Sequence, residues 1–313
     1  ICPHGIGDLG PDAYRFVEWQ QSAGQRIWQL LPTTPIGPGD SPYMSVSAFA
    51  GSPLMVALEP LVGAGWLPQP VLPPQGFDSS RVDFGHVVPW RLTQLRAAAA
   101  GYQKSASKQA RSDFAAWCQA QAYWLDDYAL FMALETAHNG HAWWDWEEGV
   151  MRRDPAALQK ARVGHAEEVF FWQFVQWQFD VQAGALKAYA NQRGVHIMGD
   201  LPIFVAHDSA DVWSHRDLFR LDREGRLPKV SQLLPEALVT VHPRDRRLVT
   251  VLGLFIWIMQ GLPSADQLAN YEPPITSRIP AKVGSSEPIG MGTDLRRCDA
   301  DSVNWIPSFA GMT

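Results

Sequence analysis

Two stretches hold side chains able to do chemistry. One is Gly39-Asp40-Ser41-Pro42-Tyr43, inside a connection that also contains Pro32, Pro35, Gly37 and Pro38. Proline and glycine set the backbone of such a loop, so that Asp40, Ser41, Tyr43 and Ser45 are presented in fixed directions. A tyrosine there offers a flat face for stacking and a hydroxyl for hydrogen bonding, or it anchors the loop by packing its own ring. The other stretch is GDLPIFV at 199–205, where Asp200 follows strand-like residues and Gly199. A carboxylate at the C-terminal end of a strand stands where barrel enzymes keep catalytic and binding groups, and the glycine lets a ligand approach the backbone. The competing role is a loop cap that accepts backbone N–H bonds.

Other polar residues are spaced against chemistry. His207-Asp208-Ser209 has the residue types of a nucleophilic triad, but adjacent residues cannot converge on one another. Glu147-Glu148 and Glu167-Glu168 are consecutive, whereas the two carboxyl groups of retaining sugar chemistry face one ring from opposite sides, about 5–5.5 Å apart. His4, His165 and His196 lack metal-ligand spacing, so no metal is expected. There is no P-loop, and no cofactor is expected. In HAWWDW, Trp143, Trp144 and Trp146 serve either packing or ligand stacking.

The elements that position these groups follow from period and punctuation. PDAYRFVEWQQSAG at 11–24 predicts a helix with Ala13, Phe16, Val17 and Ala23 near one face and Gly24 as its stop. The apolar run at 26–31 predicts a strand. Helix is expected again from about Arg91 to Gln121, and across 123–138 with Trp124, Tyr128, Phe131 and Leu134 on one face. A further helix runs from His165 to Gly194, with Phe170, Phe174, Trp177, Val181 and Ala188 together. The stretch at 195–199 is a second strand. Strand, long helical excursion and strand is the order of a parallel α/β sheet or barrel, with about 60–193 as a mostly helical insertion. After Leu227 no period is sustained, and proline and glycine are scattered without turn logic.

Composition narrows the function classes. The chain has 313 residues, 46% hydrophobic and 19% charged, enough for one large domain or two smaller ones. Its net charge of −6 gives no electrostatic footprint for nucleic acid or an anionic membrane. The 14 Trp and 14 Phe supply either a large core or flat stacking surfaces. Cys2, Cys118 and Cys298 stand far apart, which argues against a disulfide framework or zinc site and makes a reducing cytoplasm the expected location. The apolar run at 248–259 is shorter than the about 20 residues of a membrane span. No signal peptide opens the chain, and its start at Ile1 in loop-like sequence reads as a start inside a reading frame or domain.

Taken together, GIGDLGPDAYRFVEW, GQRIWQLLPTTPIGPGDSPYMSVSAFAGSPLMVALEPL, HAWWDW, FWQFVQWQFDVQ and MGDLPIFVAHDSADVWSHRDLFRLDREGRLP resemble the 4-α-glucanotransferases, or amylomaltases, over about residues 3–228. The resemblance implies a (β/α)8 TIM barrel with inserted helical subdomains, here only in part: an α/β fold ending in an irregular tail. It implies retaining transfer of α-1,4-glucan segments between maltooligosaccharides. Tyr43 takes the position of a tyrosine that contacts glucose near the cleavage point, Asp200 that of a strand-end aspartate bonding sugar hydroxyls, and Asp40 and Ser41 lie on the same substrate-facing loop. Met44 departs from the glutamine usual there, which removes one polar contact.

The resemblance also marks an absence. The family's nucleophile segment Arg-x-Asp-His, its acid/base segment resembling Ala-Glu-Asp-Leu-Gly and its His-Asp-Asn segment do not occur in this sequence. Arg220-Leu221-Asp222-Arg223 imitates the first but lies in the matched segment after Asp200. No catalytic residue is therefore expected, and the chain is expected to be inactive as written, with a non-catalytic α-glucan-binding module as the alternative. Residues 1–228 are expected to form the N-terminal part of the barrel. WIPSFAGMT resembles translated intergenic repeat sequence, so 229–313 is expected to be an unrelated tail, frameshifted or disordered. Oligomeric state is left open.

Overall fold

In the computed structural model, residues 3–226 are described, except 71, 74, 75, 79, 201, 203 and 220. The tail at 229–313, its apolar run at 248–259, Cys2, Cys298 and Arg220 lie outside the described residues. Helix α1 (Pro11–Ser22) starts on a proline, whose fixed φ suits the first helical position, and gives way to Gly24 at a φ of 71°. Strand β1 (Ile27–Gln29) follows, then the loop that leads to β2 (Met44–Ser45) and the short α2 (Glu59–Gly63). A long helical region comprises α3 (Phe84–Ser105), α4 (Lys108–Ala137), α5 (Glu148–Met151), α6 (Pro155–Gly164) and α7 (Ala166–Gln192). The chain returns through β3 (His196–Met198), β4 (Phe204–Val205) and α8 (Ala210–Ser214).

The helix expected across 91–121 is two helices. Ala106 and Ser107 take extended backbone, and the Ser107 hydroxyl accepts the Ala110 N–H at 3.1 Å, which starts α4. From there α4 runs unbroken through 123–138, and Trp124, Tyr128, Phe131 and Leu134 are all buried, as their spacing predicts. At α7 the buried face is rotated from the expected one. Phe174 and Trp177 are buried, but Val181 is 49% exposed and Ala188 is exposed, while Gln176, Gln178 and Gln182 are buried. The reason is polar: the Gln176 amide bonds both the N–H and the C=O of Gly51, and the Gln182 amide does the same for Ala57. Apolar period cannot register a glutamine that substitutes for a strand neighbour. On α1, Val17 and Gln20 are buried, whereas Phe16 and Ala23, expected on the same face, are exposed.

The strands pair as their order requires. β1 lies parallel to β3 with Trp28 opposite Ile197, and β2 lies parallel to β4 with Met44 opposite Phe204. Trp28 and Ile197 pack against the helical core, while Ile27 and Met198, on the alternate face, are 59% and 47% exposed. Each parallel partner is reached through a long connection, which is the mark of an α/β arrangement. Underneath, Arg91 and Asp8 are fully buried. One guanidinium nitrogen donates to Asp8 at 3.2 Å and to the Val56 carbonyl at 2.6 Å, and Asp8 also accepts the Gly10 N–H.

Candidate binding site

The loop before β2 is built by backbone turns. The Gly37 N–H donates to the Ser41 carbonyl at 3.2 Å and the Asp40 N–H to the Gly37 carbonyl at 3.1 Å, with Gly39 and Asp40 at φ 72° and 56°. A side chain at position 37 would collide with the Met44 carbonyl, so glycine is required there. The Ser41 hydroxyl accepts the Tyr43 N–H at 3.3 Å. Tyr43 then points across to the end of β3, where its hydroxyl donates to the Asp200 carboxylate at 2.9 Å between residues 157 apart in sequence. That bond holds the Tyr43 hydroxyl protonated above the usual tyrosine range, with partial burial and the carboxylate's charge acting the same way. Two residues singled out in separate stretches are thereby one cluster. Asp40 is on the same loop but exposed, and Met44 is 41% exposed.

Serines and one aspartate brace this loop. The Ser45 hydroxyl reaches the Pro35 and Ser47 carbonyls at 2.8 and 2.7 Å, and Thr34 donates to the Pro42 carbonyl at 3.2 Å. The Ser47 hydroxyl donates to one Asp211 oxygen at 3.0 Å, and the Ala48 N–H to the other at 2.7 Å. The Ala206 and Ala210 amides bond the Ser45 and Val46 carbonyls, each at 2.9 Å. Sequence reasoning missed Ser47 and Asp211. The available signal was serine at alternate positions next to a turn, a pattern suited to side-chain bonding of the local backbone.

The remaining candidates serve the fold. Trp143 and Trp146 are 0% and 5% exposed, so they are packing residues and not stacking surfaces. Trp144 is half-buried and stacks on His207 at 4.1 Å with planes 10° apart. His207 donates to the Gly225 carbonyl at 2.8 Å, Asp208 accepts the Trp143 N–H, and Ser209 caps α8 through the Val212 N–H. Burial lowers His207 and raises Asp208, and it pushes Glu135 up to about 7, with the Asp208 charge adding to that shift. Glu147 pairs with His138, Glu148 with Arg152 and Glu168 with Arg96. His4, Asp8 and Glu59 bring ligand-type atoms within 4.8 Å of one another, a gathering that linear spacing hid. Arg91 supplies the cation beside Asp8 in that cluster.

A family model described as 4-alpha-glucanotransferase matches residues 2–230. The chain belongs to the 4-alpha-glucanotransferase family. It is 46% identical over 234 residues to the 4-alpha-glucanotransferase of Thermus thermophilus, an alignment covering 75% of this chain and 46% of that one. It is 43% identical over 223 residues to the 4-alpha-glucanotransferase of Synechocystis sp., covering 70% and 44%. Among solved structures, the amylomaltase from Streptococcus agalactiae in complex with acarbose superposes with a TM-score of 0.67 at 33% identity, covering 71% of this chain and 45% of that one. The chain thus spans somewhat under half the length of these 4-alpha-glucanotransferase relatives. Among the described residues no helix is long and apolar enough to cross a membrane.

Proposed function

We propose that residues 3–226 are the substrate-holding part of a 4-alpha-glucanotransferase, in which Tyr43 and Asp200, with Ser41 and Asp40 on the same loop, hold a glucose unit of an α-1,4-glucan. The observation that carries this reading is the 2.9 Å bond from the Tyr43 hydroxyl to the Asp200 carboxylate, which joins the rigid loop to the end of β3. A phenol ring beside a carboxylate offers a stacking face and oxygen acceptors for sugar hydroxyls. The amylomaltase from Streptococcus agalactiae, similar in fold, is described in complex with acarbose, an oligosaccharide analogue, which supports a ligand of this class.

The same reading makes the fold part of a (β/α)8 barrel. β1 and β3 pair in parallel and cover their helical layer with Trp28 and Ile197, while Ile27 and Met198 lie on the opposite face, the one that lines the interior of a barrel. Residues 3–226 belong to this barrel portion, with about 60–193 as its helical insertion, and the widely spaced cysteines support a cytoplasmic location. Retaining transfer requires two carboxylates around the anomeric carbon. The segments that the resemblance assigns to them do not occur in the 313 residues, so this chain binds maltooligosaccharide without turning it over. Incubation with maltotriose tests that directly: no glucose is released above the blank, while maltotriose retards the chain in affinity electrophoresis. Glucose release, or unretarded migration of folded protein, contradicts the proposal.

A further inference from the structure

We propose that Asp211 is a positioning residue for sugar binding: its carboxylate clasps the turn after Tyr43 and so sets the Tyr43 hydroxyl on Asp200. This rests on the reading of Tyr43 and Asp200 as the sugar-holding pair.

Asp211 sits in the first turn of α8, where a carboxylate commonly serves its own helix. Here that task is taken by Ser209, whose hydroxyl accepts the Val212 N–H at 3.2 Å. Both Asp211 oxygens go instead to a segment 163 and 164 residues earlier, one to the Ala48 N–H and one to the Ser47 hydroxyl. Ser47 is 1% exposed and its oxygen also accepts the Phe49 N–H at 3.1 Å, so the clasp fixes three consecutive residues. Upstream, Ser45 and Val46 are bonded by the Ala206 and Ala210 amides, and β2 pairs with β4. Two runs are therefore fastened along their length, 44–49 against 204–211. Tyr43 leads the first run and Asp200 precedes the second, so fastening the runs fixes the separation of the pair. Asp211 closes the fastening at its far end, with each of its two oxygens accepting a bond from this one segment.

The test is acarbose affinity in a double-mutant cycle on the whole chain. Asp211→Ala should weaken acarbose binding about fivefold or more, the worth of roughly one hydrogen bond. In the Tyr43→Phe background the same change should cost less than about twofold, because the bond it positions is already gone. Equal losses in the two backgrounds would overturn the proposal. Should Asp211→Ala fail to fold, Ser47→Ala removes one of the two bonds with little change in volume and is read the same way. A ligand-free readout accompanies the cycle: with 3-fluorotyrosine incorporated, the fluorine resonance missing in Tyr43→Phe should shift in Asp211→Ala and Ser47→Ala. It should stay in place in Ser107→Ala, which uncaps the far end of α4. An unmoved Tyr43 resonance in both clasp variants refutes the positioning role. A moved resonance in a chain that does not bind acarbose refutes the sugar-holding reading alone.

Discussion

Around Tyr102, aromatic rings do the holding: Trp66, Phe114, Phe170, Phe174 and Trp177 stand at centroid distances of 5.0 to 6.1 Å, brought together by α3, α4, α7 and the loop after α2. Around Tyr43, the ordering contacts are hydrogen bonds that serine and threonine hydroxyls give to backbone carbonyls and that Asp211 accepts from the Ala48 N–H and the Ser47 hydroxyl, with only short strand ladders between them. The first region gains its stability from buried area, which is non-directional and tolerant of small displacements. The second gains direction, since each bond fixes a distance and an angle while contributing about 0.5–1.5 kcal/mol net. Damage to the two should therefore read out differently, as lost stability in the first and as lost binding in the second.

The largest effect is expected at Phe174, which is fully buried among these rings. Phe174→Ala should cost about 3–5 kcal/mol in urea unfolding, while acarbose affinity, measured well below the transition, stays that of the parent chain. A parallel loss of affinity would break the separation between the regions. Gln182→Ala acts on α7, leaving the Ala57 N–H and C=O without the amide that bonds both. It should cost about 1–3 kcal/mol for the buried unsatisfied groups, and a smaller change would show that water substitutes for the amide.

Glu135 sharpens the comparison through pH. Its folded value of about 7 lies above the ordinary 4.5, because burial disfavours its charge. A carboxyl raised in this way contributes fully below the ordinary value, and its contribution is lost as pH rises through about 7. Glu135→Gln should thus raise the thermal midpoint at pH 8 relative to the parent and leave the difference near zero at pH 4. A shift that is the same at both pH values contradicts this. The smallest stability effect belongs to Tyr43→Phe, which removes one half-buried bond and should cost less than about 1 kcal/mol by the same unfolding assay.

How far the sequence could be read follows the same division. In α4, Trp124, Tyr128, Phe131 and Leu134 are legible because a helical face is a local property with a fixed period. The parallel strands were legible from their order, and the Tyr43 loop from its prolines and glycines. The rotated face of α7 was not, because Gln176 and Gln182 are buried for the sake of backbone groups 125 residues away. Asp8 with Arg91, 83 residues apart, and Ser47 with Asp211, 164 apart, leave no periodic trace for the same reason. Whether the HAWWDW tryptophans pack or stack was likewise decided by Phe131, His207 and Trp213, none of which is a sequence neighbour.

Tyr43 and Asp200 are proposed to act as one sugar-holding unit. Calorimetric titration of acarbose into the whole chain, Tyr43→Phe, Asp200→Asn and the double variant tests it most directly. Each single variant should weaken binding about tenfold, close to 1.4 kcal/mol, and the double should be little worse than either, since both remove the same arrangement. Parent-like affinity in both single variants, or losses that simply add in the double, would contradict the account.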